Sequence, residues 1–365
     1  MAAFIADYYK DIETYPVRSQ VEPGYLHRLL PDSAPHFPEP LTTILDDVRN
    51  DILPGLTHWQ SPNFFAYFQA NASNPGILDE MLCAALNVVG FNWISSPAAT
   101  ELETLVMDWM AKFLRLPREF TFASGGGGVI HGSTCEAVVC TMAAARDAAS
   151  ARIGFEGITR LVIYASDQTH FTFQKASKLV GIPPANFRMI TTSARSEHAL
   201  PPESVHAAMD EDLARGLVPL YICATVGTTA VGAVDPLAPL GELAREYGTW
   251  ARHNLMDHIR SDVEMAEQFE RMVGTDEKFE VVATRRFALV CFRLRPKKRG
   301  SCEMNRKLLE AVNASGRAFM TQAVVEGKYV LRMAIGATLT EERHVLEAWK
   351  VIQEMADGII SEEDQ

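Results

Sequence analysis

The sequence predicts an α/β protein: a mainly parallel sheet with helices on its faces, a helical arm before it and a small α+β unit after it. Three observations predict this. Strand-like and helix-like segments alternate between Gly125 and Trp250, which is how a chain builds a parallel sheet with packed helices. Prolines punctuate the N-terminal region at Pro16, Pro23, Pro31, Pro35, Pro38 and Pro40, as in an arm rather than a compact domain. The alternation stops after Trp250. With 365 residues, and a prior of roughly 150 residues per domain, two domains or one large domain with a smaller partner are expected.

Taken in order, a helix is expected near Phe4–Thr14. The stretch Pro31–Pro40 reads as extended, because each proline pushes the residue before it out of the α region. A second helix follows near Leu41–Ile52. The clearest helix is Glu101–Leu116: Thr100 and Glu103 form a capping box, and Leu102, Leu105, Val106, Trp109, Met110, Phe113 and Leu114 share one face. Pro117 stops it. Beyond the run Gly125–Gly128, a helix near Glu136–Ala148 precedes a strand at Arg160–Ala165, a helix near Phe173–Val180 and a strand at Leu220–Thr225. The helix Leu240–Tyr247 ends at Gly248, a residue suited to the left-handed cap. That cap should deliver the chain into a central parallel strand, but Arg252-His-Asn-Leu-Met-Asp is too polar for a strand buried on both faces. Arg252–Met272 reads instead as a polar helix. The remainder reads as strands at Glu280–Val282, Ala288–Leu294 and Tyr329–Ile335, with helices at Met304–Asn313 and Glu341–Ala356, the last capped by Thr340. The domain boundaries expected are 1–85 for the arm and dimerisation segment, 86–250 for the large domain and 251–365 for the small one.

The composition narrows the function. The formal charge is −12 and Lys297-Lys298-Arg299 is the only short basic run, so neither nucleic acid nor an acidic membrane surface is an expected partner. No apolar run approaches the roughly 20 residues that span a bilayer. Asp7, Lys10 and Asp11 interrupt the N-terminus too early for a signal peptide, so a cytoplasmic location is expected. The six cysteines form no CxxC pair and read as free thiols. His253 and His258 do not share a helical face, and no metal is expected.

Several segments could carry chemistry. The glycine run ends in His131-Gly-Ser-Thr-Cys-Glu, where a helix begins. Free N–H groups and the helix dipole suit a phosphate there, and an ordinary capped turn explains the residues equally well. His170 follows a strand end in Ser166-Asp-Gln-Thr-His, where α/β sheets keep their chemistry. A loop histidine bonded to a backbone carbonyl is the simpler alternative. Gly227-Thr-Thr, with Asp235 downstream, is either an anion-binding or a hydroxyl-rich turn. Asn63-Phe-Phe-Ala-Tyr-Phe and Phe91-Asn-Trp suit a pocket for a flat side chain, or ordinary core packing.

Together these segments are far more specific. Ser61-Pro-Asn-Phe-Phe-Ala-Tyr-Phe, Gly90-Phe-Asn-Trp, Ser96-Pro-Ala-Ala-Thr-Glu-Leu-Glu, Gly128-Val-Ile-His-Gly-Ser, Ser166-Asp-Gln-Thr-His and Gly227-Thr-Thr occur in that order. The chain resembles the pyridoxal 5'-phosphate-dependent aromatic-L-amino-acid decarboxylases, most closely the plant tyrosine/tryptophan decarboxylases. Phe287-Ala-Leu-Val-Cys-Phe-Arg-Leu and Leu331-Arg-Met-Ala-Ile-Gly resemble that family's C-terminal domain. The resemblance implies a fold-type-I, aspartate-aminotransferase-like architecture, a homodimer and an aromatic L-amino acid substrate. It implies that Thr134 and Cys135 cradle the cofactor's phosphate, that His170 stacks on its ring and that Thr229 contacts it. Tyr67, Phe68 and Phe91 match the substrate's aromatic pocket. Gln69 replaces a proline usual in that pocket, and Ala70 stands where a small hydroxyl residue is common.

One part of the family pattern is absent. After Gly248-Thr-Trp the family continues with a His-Val-Asp-Ala-Ala strand, whose aspartate pairs with the cofactor's ring nitrogen. Further on come a His-Lys pair, whose lysine tethers the cofactor covalently, and a loop with a catalytic tyrosine. Here none of the ten lysines follows a histidine. The expectation is an incomplete large-domain sheet, weak or absent cofactor binding and no activity. The alternatives are a non-catalytic partner of full-length relatives, forming a heterodimer with them, and the product of a truncated splice form or gene model.

Overall fold

The computed structural model describes residues 1–68, 70–254, 260–295 and 301–363. Lys297-Lys298-Arg299 and Gln69 lie outside them. The first of two four-stranded sheets is parallel throughout, in the order β2 (Phe187–Ile190), β1 (Leu161–Ser166), β3 (Val218–Thr225), β4 (Trp250–Asn254). Every residue of β1 is buried, as a strand covered on both faces requires. Its side chains alternate. Leu161, Ile163 and Ala165 pack with Val138 and Met142 of α6 (Thr134–Ile153) and Phe173 and Ala176 of α7 (Thr172–Leu179). Val162 and Tyr164 pack with Val205 and Met209 of α8 (Pro202–Ala214) and Leu240 and Ala244 of α9 (Leu237–Glu246) on the other face. The buried Asp212 ties these layers together, accepting from Tyr164 Oη at 3.0 Å and from Arg188 Nε at 2.9 Å.

The strand after Gly248 corrects the sequence reading. Trp250–Asn254 does continue the sheet, in register with Tyr221–Thr225 of β3. Among the described residues β4 is the outermost strand and pairs only with β3, and an edge strand accepts polar residues that a central one does not. The expected helix begins later, as α10 (Arg260–Thr275). The sheet thus holds four strands, and β4 has no second neighbour among the described residues.

The second sheet is antiparallel, in the order β5 (Phe279–Val281), β6 (Leu289–Leu294), β8 (Lys328–Ala334), β7 (Thr321–Val325). Helices α10, α11 (Ser301–Ala314) and α12 (Glu342–Glu363) bury Phe269, Leu308, Val312, Val345 and Trp349 against Phe279, Phe292 and Leu331. Thr340 is not the cap of α12. Its hydroxyl donates to the Pro62 carbonyl at 2.7 Å, and the Glu341 N–H donates to His344 Nδ1 at 2.9 Å instead.

The arm comprises α1 (Ala2–Asp11), α2 (Tyr25–Leu29) and α3 (Leu41–Asp47). It is anchored on the second sheet rather than the first. The Phe65 N–H donates to Phe319 at 2.8 Å, the Ala334 N–H donates to Phe65 at 2.9 Å, and Arg343 clasps the Glu13 carboxylate at 2.8 and 3.1 Å. His58 is buried beneath the arm, with Nδ1 2.9 Å from Tyr8 Oη and its ring stacked on Tyr15 at 4.9 Å. Burial lowers the His58 pKa below its ordinary 6.5. The unfolded chain therefore takes up this proton before the folded one does. The stabilisation is complete above pH 6.5 and is lost as pH falls from there through the folded-state value. Thermal unfolding measured across this range should show a midpoint that drops with acid, and His58→Gln should flatten part of the drop. An identical slope in the variant would assign the effect elsewhere.

The helices α4 (Asn74–Leu86) and α5 (Pro97–Phe113) stand apart from both cores. The start of α5 lies a turn before the expected Glu101. Ser96 accepts the Ala99 N–H at 3.3 Å with Pro97 in the first turn, a pairing that nucleates the helix ahead of the Thr100–Glu103 box. Thr100 instead donates to the Ser96 carbonyl at 3.0 Å. The apolar face read from the sequence is present and uncovered: Leu102 is 59%, Trp109 63% and Phe113 74% exposed, and only Ala111 of this helix is buried. The accessible surface is 21346 Å², against about 14,500 Å² for a compact monomer of this mass.

Candidate functional site

Three local structures meet the carboxyl edge of the parallel sheet. The first is the start of α6, which runs antiparallel to β1 and so brings its N-terminus to the strands' carboxyl ends. Ser133 caps it, accepting the Glu136 N–H at 3.3 Å. Thr134 and Cys135 are its first two residues, and their N–H groups have no carbonyl a turn earlier to reach. They face outward with the helix dipole behind them, which is the arrangement that receives a phosphate.

The second is the loop after β1. Asp167 pins it by accepting the Thr192 hydroxyl at 2.7 Å and the Thr192 N–H at 3.2 Å. His170 closes the loop. Its Nδ1 lies 2.6 Å from Thr172 Oγ1, and the same hydroxyl lies 3.0 Å from Cys135 Sγ. So the structure joins His170 to the start of α6 through Thr172, a residue the sequence reading passed over. Partial burial, with the Lys175 ammonium nearby, lowers the His170 pKa and favours the neutral imidazole.

The third is the turn after β3. Thr228 is buried and closes it, its Oγ1 accepting the Ala233 N–H at 2.9 Å, while the carboxylate of Asp235 accepts the N–H groups of Thr225 and Leu200, each at 2.7 Å. Thr228 and Asp235 are thus structural, and Thr229 stands exposed at the tip.

The aromatic residues come together only in part. Tyr67 stacks on Trp59 at 5.5 Å and meets Phe319 edge-on at 6.1 Å. Phe68 lies under the Arg332 guanidinium, 6.0 Å from ring centroid to Cζ. Phe91 does not join them; it is 77% exposed on a separate segment. Arg332 is the residue that sequence reasoning missed. It is 4% exposed, its Nε donates to the Ala230 carbonyl at 3.2 Å beside Thr229, and its Nη1 donates to Thr321 at 2.9 Å. Its Nη2 has no partner among the described residues, and burial lowers its pKa below the usual guanidinium value. A lone charge inside the apolar run Tyr329–Ile335 was the available signal, since arginine is rarely buried unpaired. No cluster of three metal-ligating side chains occurs among the described residues, and His258 lies outside them.

Such a fold and edge define an α/β protein whose ligand site lies beyond the carboxyl ends of a parallel sheet. The chain belongs to the pyridoxal-dependent decarboxylases: that family's conserved domain matches residues 23–252. Among its relatives is a phenylacetaldehyde synthase of Rosa hybrid cultivar, 45% identical over 98% of this chain and 92% of that protein. Another is a tyrosine decarboxylase of Papaver somniferum, 44% identical over 98% of this chain and 93% of that one. The solved Catharanthus roseus tryptophan decarboxylase in complex with L-tryptophan superposes with a TM-score of 0.94 at 39% identity, covering 98% and 97% of the two chains. These relatives place the chain among the pyridoxal-dependent decarboxylases of aromatic amino acids. The alignment with the rose protein runs over 470 positions against 365 residues here, so more than a hundred of its positions have no residue opposite them.

Proposed function

We propose that this chain is a subunit of the aromatic-amino-acid decarboxylase type that keeps a reversible site for pyridoxal phosphate and has lost the means of turnover. The observation that carries this is that no lysine in the chain follows a histidine, while the outermost strand β4 comes only a few residues before α10. The family match ends at residue 252, within that same strand. When bound, the cofactor supplies the electron sink for the carbanion left by departing CO₂. The residues present fit its phosphate and one face of its ring, and they do not fit a covalent tether.

In this reading the N–H groups of Thr134 and Cys135 hold the phosphate and Thr229 flanks it. The neutral His170 lies against the ring. Arg332, with both N–H groups of Nη2 unpartnered among the described residues beside Tyr67 and Phe68, suits the carboxylate of an aromatic amino acid. Phe91 belongs with the exposed α4–α5 surface, and the occupant of that surface is a second copy of the chain. The excess of roughly 6,800 Å² over a compact monomer far exceeds the roughly 800 Å² per partner that a standard interface needs. The domain division at residues 85 and 250, with a cytoplasmic location for an acidic chain of free thiols, completes the proposal.

The test is borohydride reduction of the protein with pyridoxal phosphate, followed by peptide mass spectrometry. Binding should be weak, competed by inorganic phosphate, and should leave no single lysine pyridoxylated. One stoichiometric pyridoxyl-lysine would overturn the proposal.

A further inference from the structure

The contact between the start of α6 and the start of α7 has a direction. Thr172 Oγ1 lies 3.0 Å from Cys135 Sγ and 2.6 Å from His170 Nδ1. The backbone N–H of Thr172 also donates to that Nδ1, at 3.3 Å. A ring nitrogen that accepts carries no proton, so the imidazole hydrogen is on Nε2. The hydroxyl of Thr172 is then the donor in the 2.6 Å contact, and its oxygen lone pairs are left for the thiol. The order is S–H to O–H to Nδ1: a nucleophile joined to a base through one hydroxyl. Thr172 is 4% exposed, so bulk water does not compete for the bridge, whereas Cys135 is exposed to reagents.

We propose that Cys135 is a modification site for soft electrophiles of the α,β-unsaturated carbonyl class, with His170 taking its proton through Thr172. The sulfur electron pair forms the bond to the β-carbon, and the carbon–carbon π pair moves to the α-carbon. The thiol proton passes to the Thr172 oxygen as the Thr172 proton passes to Nδ1. The α-carbon then takes up a proton, and His170 returns to neutral by releasing one to solvent. No oxidant or leaving group is needed. The sulfur sits in the first turn of a 20-residue helix. An adduct there fills the cradle, so modification and phosphate binding exclude each other; this last point rests on the function proposed above.

The probe is N-ethylmaleimide in short pulses, with labelling of all six cysteines quantified by mass spectrometry. Cys302 of α11 is exposed, lies away from the α4–α5 surface and serves as the internal standard, while the buried Cys223 and Cys291 report on folding. Cys135 should react on the order of tenfold faster than Cys302. Thr172→Val should bring the two to parity, Thr172→Ser should keep the advantage, and His170→Gln should abolish it. Equal rates in the unaltered protein would overturn the proposal. So would an advantage surviving in Thr172→Val while Cys223 and Cys291 stay unlabelled. Should Thr172→Val expose those two, the His170→Gln comparison decides by the same criterion. Protection of Cys135 by inorganic phosphate supports the cradle. Fast labelling without protection keeps the relay and overturns the exclusion.

Discussion

Purified protein given pyridoxal phosphate and L-tyrosine, L-tryptophan, L-phenylalanine or L-dopa should release CO₂ no faster than the cofactor alone. The expected effect is the whole of an enzyme's rate advantage, at least about 10⁶-fold. In the function proposed above, what remains in the chain binds and orients, but orientation accelerates only a reaction whose other partners are in place. In that proposal Thr134, Cys135, His170 and Thr229 hold the phosphate and one face of the ring. Strand β4 ends the sheet with Asn254 paired to Thr225, and no lysine follows a histidine anywhere in the chain. Measured CO₂ release above the cofactor control, abolished by replacing one particular lysine, would show that another lysine has taken over the tether.

The second large effect concerns association. Expressed alone, the chain should not yield a stable monomer. Sizing should find dimers and larger species, and dilution should broaden thermal unfolding and raise the binding of a dye for apolar surface. The cause is the uncovered face of α4 and α5, with Leu82, Leu86, Leu102, Trp109 and Phe113 all more than half exposed. The paired change Trp109→Glu and Phe113→Glu should shift the population toward monomer. Co-expression with an intact relative should raise the soluble yield, because an isologous interface presents the same patch from either subunit. A monodisperse monomer with one sharp transition and little dye binding would contradict this.

Much of this was legible in the sequence, for identifiable reasons. The buried strands β1 and β3 are continuous apolar runs between turn signals, and α6 and α9 carry their own caps. What escaped had weak local signals. Strand β2, at the sheet's edge, is only four residues long, and the spacing of Val205 and Met209 in α8 is masked by charged neighbours. Strand β4 was misjudged because polarity rules out a central strand but not an edge one. In the site, His170 and Cys135 were readable as residue types, but their connection was not. It depends on Thr172, which is joined to Cys135 across 37 positions by the packing of two helices. Arg332 was visible as a charge in an apolar strand, yet its unpartnered Nη2 emerges only when the partners among the described residues are counted.

The clasp between Glu13 and Arg343 spans 330 positions. A ribosome makes one end long before the other, at roughly 5–20 residues per second. The arm therefore leaves the exit tunnel and waits for tens of seconds with its docking surface not yet made. The segment Ser61–Ala66 waits with it, since Phe319 and Ala334 supply its backbone partners. During that interval the apolar residues of α3, α4 and α5 are all outside the tunnel with nothing of this chain to cover them.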